Sequence, residues 1–564
     1  MLQDEAAIKK LEDLKKQEEE EAIYILAQAK YNLPCVDLGM TTIENAAIRL
    51  LEEPEARERL VAPFKLSGTK IHVAVHSPEK EGVRETISGL EQKGYTPVIY
   101  MASMASLEKA WAHYAELSFA KASASGSLDI SPETILDLGA RIKTIPDLKA
   151  LLDELGHEKV HQTSRILEIV LAGAISMGAS DIHVEPGEHE VHMRYRIDGL
   201  LEDVLTFPHT TFKQLDTRIK LLSGMKLTLK SIAQDGRFSI FLPDAEIGIR
   251  SSVIPGAYGE SIVMRLLDPK AIRVKMEELG IPTNLFTMIE KEIHKPNGMI
   301  LLTGPTGSGK TTTLYAFLSR IYSTDIKIIT IEDPIEYHLA GITQTQVENE
   351  KGYTFLEGLR SALRQDPDVI MVGEIRDHDT ADTAIESALT GHMVFSTLHT
   401  NNAAGVIPRL VDLGISPKTI PSALTLAIGQ RLVRKLCSVC KVERPATEEE
   451  KNTIERIYNE AKEEGKDLSL FGVANPRPET LWQSVGCEAC HMSGYKGRIG
   501  IFEAIHVNTK EVEAVIPNYP SEREIKEVAE KQGILDMKED GIVKVVTGVT
   551  TLEEVASVTD LEED

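Results

Sequence analysis

Cysteine is scarce in this chain: five residues in 564, four of them in two C-x-x-C pairs. That count excludes a disulfide-stapled fold, and the pairing is the pattern of metal capture in a reducing compartment. Basic charge is also short. Lys and Arg total 62 against 87 Asp and Glu, a formal net charge of −25. A nucleic-acid motor normally presents a basic face, and no basic groove interleaved with aromatics appears, so no nucleic-acid partner is expected. No apolar run approaches the ~18 residues needed to span a bilayer. The first residues, Met1-Leu2-Gln3-Asp4-Glu5, lack the basic and apolar regions of a signal peptide. The expectation is a cytoplasmic protein that reaches a membrane only through partners. No repeat of fixed period is present, which excludes a solenoid.

What is there is ordinary for a globular protein: 42% apolar and 26% charged residues, with length enough for three or four domains. Residues 1–21 form a charged run that reads as a helical leader. Residues 22–120 read as a small α/β domain, with strands at Ile71–Val75 and Pro97–Tyr100. The run Lys121-Ala122-Ser123-Ala124-Ser125-Gly126-Ser127 opens a segment read as a linker over 121–157. A second α/β domain is expected over 158–270, a nucleotide domain over 271–430, a cysteine-bearing element over 431–504 and a helical region over 505–564.

The nucleotide reading rests on Gly304–Thr311, Gly-Pro-Thr-Gly-Ser-Gly-Lys-Thr. It fits G-x-x-x-x-G-K-[ST], in which glycines let backbone N–H groups curl around a phosphate. Met299–Leu302 reads as the buried strand before it. Thr312–Leu318 reads as a helix whose N-terminal dipole faces the phosphates. Gly304, Pro305, Thr306, Gly307, Ser308, Gly309, Lys310, Thr311 and Thr312 are therefore the expected nucleotide-binding residues. Lys310 would reach the terminal phosphates of ATP, and the Thr311 hydroxyl would sit on Mg²⁺.

Two apolar strands then end in acids, at Ile328–Glu336 and at Val369–Glu374. Gly373 stands where a metal-holding Asp is usual, so Glu374 is expected to act on the metal through its waters or to orient the attacking water. Glu332 is the alternative base. Thr390–Asn401 supplies His392 and His399, either of which is expected to sense the γ-phosphate, since imidazole can report a nearby anion. Cys437, Cys440, Cys487 and Cys490 can close a tetrahedral Zn²⁺ shell with no open position, a structural site rather than a catalytic one. The 46 residues between the pairs (441–486) hold a charged helix, Glu448–Glu464, stopped by Gly465. Cys35 reads as a small buried apolar residue.

In this order, Gly304–Thr311, Ile331–Tyr337, Leu363–Asp377 and Thr390–Asn402 resemble the Walker A, Asp, Walker B and His boxes of the type II secretion and type IV pilus assembly ATPases. Ser180–Pro186, Arg194–Gly199, Gln234–Arg237 and Gly259–Arg265 resemble that family's second N-terminal domain, and Tyr31–Pro34 the start of its first. The resemblance implies a RecA-like P-loop domain preceded by two smaller α/β domains, with the Cys₄ zinc element as an insert. It implies a homo-hexamer on the cytoplasmic face of the inner membrane, driving a polytopic platform protein and docking through its first domain. Arginines of the second domain would stabilise phosphate charge. Arg237, Arg250 and Arg265 match, with Arg250 and Arg265 favoured. The chain departs from the pattern at Lys230–Ala233, where a more basic, proline-containing segment is usual, and at Ser261, which replaces a common arginine. The zinc element and the first domain are features of assembly rather than retraction ATPases. The expected function is pilus extension, with type II secretion the alternative, and a nucleic-acid translocase or a non-catalytic nucleotide-binding regulator in other classes. The repeated Arg-Leu-Gly motif of cyclic-dinucleotide sensing is absent, so no such sensor is expected.

Overall fold

A computed structural model describes residues 23–31, 33–38, 41, 43, 45–48, 50–51, 53–67, 70–80, 82–92, 95–111, 132–154, 162–242, 245–267 and 274–562. The leader read over 1–21 and the run Lys121–Ser127 lie outside these residues. The chain divides into two compact units, Met1–Ser131 and Pro132–Asp564.

The first unit is built on a three-stranded sheet, β1 (Val61–Ser67), β2 (Lys70–Val75) and β3 (Thr96–Met101), in that order. β1 and β2 form an antiparallel hairpin, and β2 runs parallel to β3 after a crossover through the helix Val83–Gln92. Ile71, Val73, Leu90, Leu107 and Trp111 are buried in its core. The Trp111 indole N–H donates to the carbonyl of Val61 at 3.1 Å, so the one polar atom of a large apolar ring is satisfied. Cys35 is only half-buried, and partial burial raises its thiol pKa.

In the second unit, residues expected to be linker form two helices, Pro132–Arg141 and Ile145–Glu154. Ile135, Leu138, Ile142, Leu148 and Leu151 recur at helical spacing and are buried. Asp147 holds the N-terminus of the second helix by accepting from the N–H groups of Lys143 (3.1 Å) and Thr144 (2.8 Å). A longer helix, Gln162–Ser176, leads into a six-stranded antiparallel sheet. Its strands are β4 (Asp181–Pro186), β5 (Val191–Ile197), β6 (Leu200–Phe207), β7 (Gln234–Leu242), β8 (Ala245–Gly256) and β9 (Gly259–Leu267). Their order is β6-β5-β4-β9-β8-β7.

The remainder is organised by a seven-stranded sheet. It contains β10 (Gly298–Thr303), β11 (Ile328–Glu332), β12 (Thr343–Gln346), β13 (Val369–Val372), β14 (Met393–Leu398) and β15 (Leu424–Leu436). A two-stranded ribbon, β16 (Val442–Pro445) with β17 (Thr480–Gln483), is set apart, and β18 (Tyr495–His506) closes the large sheet. The order is β12-β11-β13-β14-β10-β15-β18, parallel throughout except for the antiparallel β15–β18 pair. Every residue of β10, β11, β13 and β14 is buried, as expected of parallel strands covered on both faces. Alternate residues of β10 feed two cores. Met299 and Leu301 meet Ile331, Val372 and Val394, whereas Ile300 and Leu302 meet Leu314, Phe317 and Phe395. Each such leucine contributes about 1.5–3 kcal/mol by leaving water. That fixes the strand end from which the phosphate loop springs.

Candidate active site and metal centre

The loop Gly304–Gly309 joins the C-terminal end of β10 to the helix Lys310–Ile321. Gly309 sits in the left-handed region at φ 88° as the residue before that helix. A Cβ there would lie 2.9 Å from Nε2 of Gln430, so both conformation and space demand glycine. Gln430 also accepts from the Thr313 hydroxyl at 2.9 Å, which makes it a buttress under the loop. Thr311 is exposed and Thr312 half-exposed at the helix start, while Ser308 is buried with an unpartnered hydroxyl. Lys310 Nζ donates to the carbonyls of Gly304 (2.7 Å) and Pro305 (3.0 Å). Burial lowers the Lys310 pKa; the charge of Glu374 opposes this and that of Arg431 adds to it.

The two candidate acids are held differently. Glu332, 2% exposed, accepts from the hydroxyls of Tyr315 and Thr330 and from the Gln344 amide at 3.1 Å. Burial and the Glu332 charge drive the Tyr315 phenol far above its ordinary pKa. Glu332 is thus the acceptor at the centre of a closed hydrogen-bond network. Glu374 follows β13, ion-pairs with Arg376, and lies 3.1 Å from Nε2 of His399. Burial works against its ionisation, but the bonds from Arg376 and His399 outweigh it and hold the carboxyl below the usual range. The glycine ahead of it has a steric cause. A Cβ at Gly373 would lie 3.2 Å from the carbonyl oxygen of Ile331.

His399 reaches this acid; His392 does not. His392 precedes β14, its carbonyl accepts from Gly298 N–H, and its Nδ1 lies 3.0 Å from the Ser387 carbonyl oxygen. That is the N-terminal edge of the sheet, roughly 20 Å from the phosphate loop at the rise of a strand. His392 is therefore corrected from candidate sensor to a hydrogen-bonded residue of a turn. The six residues of β14 separate the two histidines, and a parallel strand carries them to opposite edges.

The arginines of the six-stranded sheet form a row. Arg237 pairs with Arg250, Arg250 with Arg265, Arg265 with Asp181 and Asp181 with Arg196. Directly opposed residues of antiparallel strands share a face, and like charges so placed repel. Asp181, buried, accepts from Arg265 Nε at 2.9 Å and lies 3.7 Å from Arg196. Burial raises the Glu336 carboxyl pKa, and the charges of Arg265 and Arg250 lower it. The favoured arginines thus act on the segment that begins at Glu332, within one chain. The acids of Ile328–Glu336 and the segment Ser180–Pro186 had drawn attention to this neighbourhood, but no role for Asp181 was read from sequence, and Gln430 and Arg431 were not singled out at all.

The four expected cysteines converge. Their sulfurs all lie within 4.8 Å of one another, with Cys437–Cys487 at 3.9 Å and Cys440–Cys490 and Cys487–Cys490 at 3.7 Å. Sulfurs at the corners of a tetrahedron with Zn–S bonds of ~2.3 Å stand ~3.8 Å apart, so the donor set fits zinc. Disulfide sulfurs would be about 2.05 Å apart. Backbone N–H groups of Cys487 (3.1 Å) and Gly494 (3.2 Å) point at the Cys490 sulfur, the donor pattern that supports a thiolate.

Glu374→Gln and Glu332→Gln should separate two roles. Replacing a base that orients water costs about 10²–10⁴-fold in kcat with little change in KM, and that is the expectation for Glu374. Glu332→Gln should instead lower the thermal midpoint, because a Gln amide cannot accept on both sides from Tyr315 and Thr330. Steady-state kinetics and thermal unfolding of both variants decide it.

The sequence profile of the family described as "Type II/IV secretion system protein" matches residues 157–557, and that of the MshEN domain matches residues 31–119. Type II secretion system protein E of Pseudomonas aeruginosa is 43% identical over 424 residues, covering 75% of this chain and 80% of that one. The type IV pilus assembly ATPase PilB of Myxococcus xanthus is 35% identical over 539 residues, covering 95% and 91%. Among solved structures, the Legionella pneumophila ATPase DotB superposes with a TM-score of 0.50 at 23% identity, over 70% of this chain and 95% of that one, a likeness of fold.

Proposed function

The chain belongs to the type II/IV secretion system protein family and is a P-loop ATPase, and from that premise we propose that it powers assembly of type IV pili. The observation that carries the choice is coverage. The pilus-assembly relative aligns over 95% of this chain, the first unit included, whereas the secretion relative aligns over 75%. Type II secretion is the second reading, favoured by the higher identity of that relative, 43% against 35%.

In this reading Lys310 and the loop N–H groups bind the phosphates of ATP, and the exposed Thr311 hydroxyl is the protein ligand for Mg²⁺. Glu374, oriented by His399, aligns water and takes up its proton. Glu332 keeps the middle of the phosphate-loop helix, at Tyr315, registered against β11. Arg250 and Arg265 bring positive charge from the six-stranded sheet, with Asp181 fixing the second of them. Zn²⁺ on Cys437, Cys440, Cys487 and Cys490 supplies a closed structural cross-link. The motor acts as a homo-hexamer on a polytopic platform protein at the inner face of the cytoplasmic membrane, with the first unit docking a further protein there. Among the described residues no helix is long and apolar enough to cross a membrane. Attachment through such partners is therefore required by the reading.

Deletion of this chain from its own organism should remove surface pili, seen by electron microscopy, and leave the extracellular protein profile unchanged. Complementation should need an intact Lys310. Loss of extracellular enzymes with pili retained would assign secretion instead.

A further inference from the structure

We propose that Arg431 is a positioning residue for ATP hydrolysis, tying the phosphate loop to the loop that carries His399. β15 runs beside β10 as far as the pair Thr303–Gly429 and then continues past the phosphate loop. Gln430 and Arg431 are the next two residues and point to opposite faces of the strand. Gln430 turns to the helix side, where Thr313 donates to it. Arg431 turns to the other side. Its Nη2 donates to the carbonyl of Asn401 at 2.6 Å and its Nη1 to that of Gln430 at 3.3 Å. A Cβ on Gly304 would lie 3.1 Å from the same Nη1. One guanidinium therefore lies against the first residue of the phosphate loop and holds a carbonyl two residues beyond His399.

The charge arrangement is unusual for an arginine with a purely structural role. Half-buried arginines usually pair with a carboxylate. Among the described residues, the hydrogen-bond partners of Arg431 are two backbone carbonyls. The acid whose charge acts on it is Glu503, which itself accepts from Ala403 N–H at 2.6 Å. A second cation, Lys310, is close enough for the Arg431 charge to lower its readiness to hold a proton. Two partly desolvated cations side by side favour an anion between the loops. When Lys310 leaves the loop carbonyls for a phosphate, Gly304 loses that hydrogen bond and keeps its close packing against the Arg431 guanidinium. Asn401 then moves with it, and with Asn401 moves His399, whose Nε2 sits 3.1 Å from Glu374. The planar fork matters here, since a lysine can reach one of these carbonyls but not bridge both.

The proposal rests on the assignment of Glu374 and His399 to the chemistry. If Glu374→Gln keeps normal turnover, that assignment fails, whatever Arg431 does. Arg431→Met and Arg431→Lys in the full chain, alone and with His399→Ala, test the proposal itself by steady-state ATPase assay and thermal unfolding. Arg431→Met should lower kcat by about 10–100-fold with KM changed by less than about threefold, the signature of an interaction that matters only in the transition state. Arg431→Lys should stay within about threefold of Arg431→Met in kcat, and the double variant should be no slower than His399→Ala, because groups acting as one unit are not additive. Full rescue of kcat by lysine would overturn the bridging role, as would losses that multiply in the double variant. If the methionine variant does not fold, the lysine variant alone decides.

Discussion

Lys310→Ala should hydrolyse ATP about 10²–10³-fold more slowly than the parent chain, the usual cost of deleting one well-placed charged donor from a phosphate site. The thermal midpoint should hardly move. Among the described residues, Lys310 Nζ hydrogen-bonds two carbonyls of its own loop, those of Gly304 and Pro305. Hydrogen bonds at a partly exposed site such as this are worth about 1 kcal/mol net. The strand and helix flanking the loop are held by their own cores, so the fold does not depend on the ammonium. Separation of the two readouts is the point of the experiment. A variant that unfolds says nothing about phosphate binding, whereas a folded variant with full turnover would reduce this chain to a nucleotide-binding regulator.

Removal of the metal centre should have the largest effect on stability. Four sulfurs, three pairs of them 3.7–3.9 Å apart, place two buried and two half-buried thiols where they crowd one another without a cation. In small zinc domains the ion contributes about 10–16 kcal/mol of apparent folding free energy. Here β15, β18 and the helix Glu448–Glu463 have packing of their own, so a smaller loss is expected, about 5 kcal/mol. That corresponds to a fall of about 10 °C in the thermal midpoint for a domain of this size. Metal analysis of the purified chain should give one zinc per chain, falling to none in Cys487→Ser. A strong chelator should reproduce the midpoint shift in the parent and leave the variant unmoved. A chain that is stable, active and free of zinc as purified would rule out a structural metal at the two pairs.

How far the sequence could be read depended on how local each signal is. The phosphate loop was legible because strand, loop and helix are consecutive. The Cys₄ centre was legible because its ligands come as two knuckles of fixed spacing. The helix expected at Glu448–Glu464 spans Glu448–Glu463, with Thr447 and Glu450 forming its capping box and Gly465 past its end at φ 84°. In the first unit, two of three strands were read from their apolar runs, and β1, with Pro63 and Lys65 inside it, was not. What escaped was non-local. Gln430 and Arg431 stand beside Gly304 only because β15 is laid next to β10 after more than a hundred intervening residues. His392 stood as the alternative to His399 until the direction of β14 separated them. The arginine row exists only in the register of β7, β8 and β9, which no single strand encodes. Residues 132–154 read as linker because the small polar run before them suggested one, yet their own apolar spacing is helical.

β15 has a mechanical consequence. It is 13 residues long, starts in the core beside β10, passes the phosphate loop at Gln430, and ends at Leu436, directly before Cys437, the first of the four clustered cysteines. β18 returns alongside it, starting five residues after Cys490. The pair is a two-stranded cantilever, rooted beside the phosphate loop, and a metal on the four sulfurs would clamp its tip. From Gln430 to Cys437 is ~23 Å at ~3.3 Å per residue, so a tilt of about 10° at the root sweeps the tip through ~4 Å. The clamp keeps the two strands from sliding past each other under load. Slackening it would dissipate that stroke within the protein, and hydrolysis would continue without work being delivered.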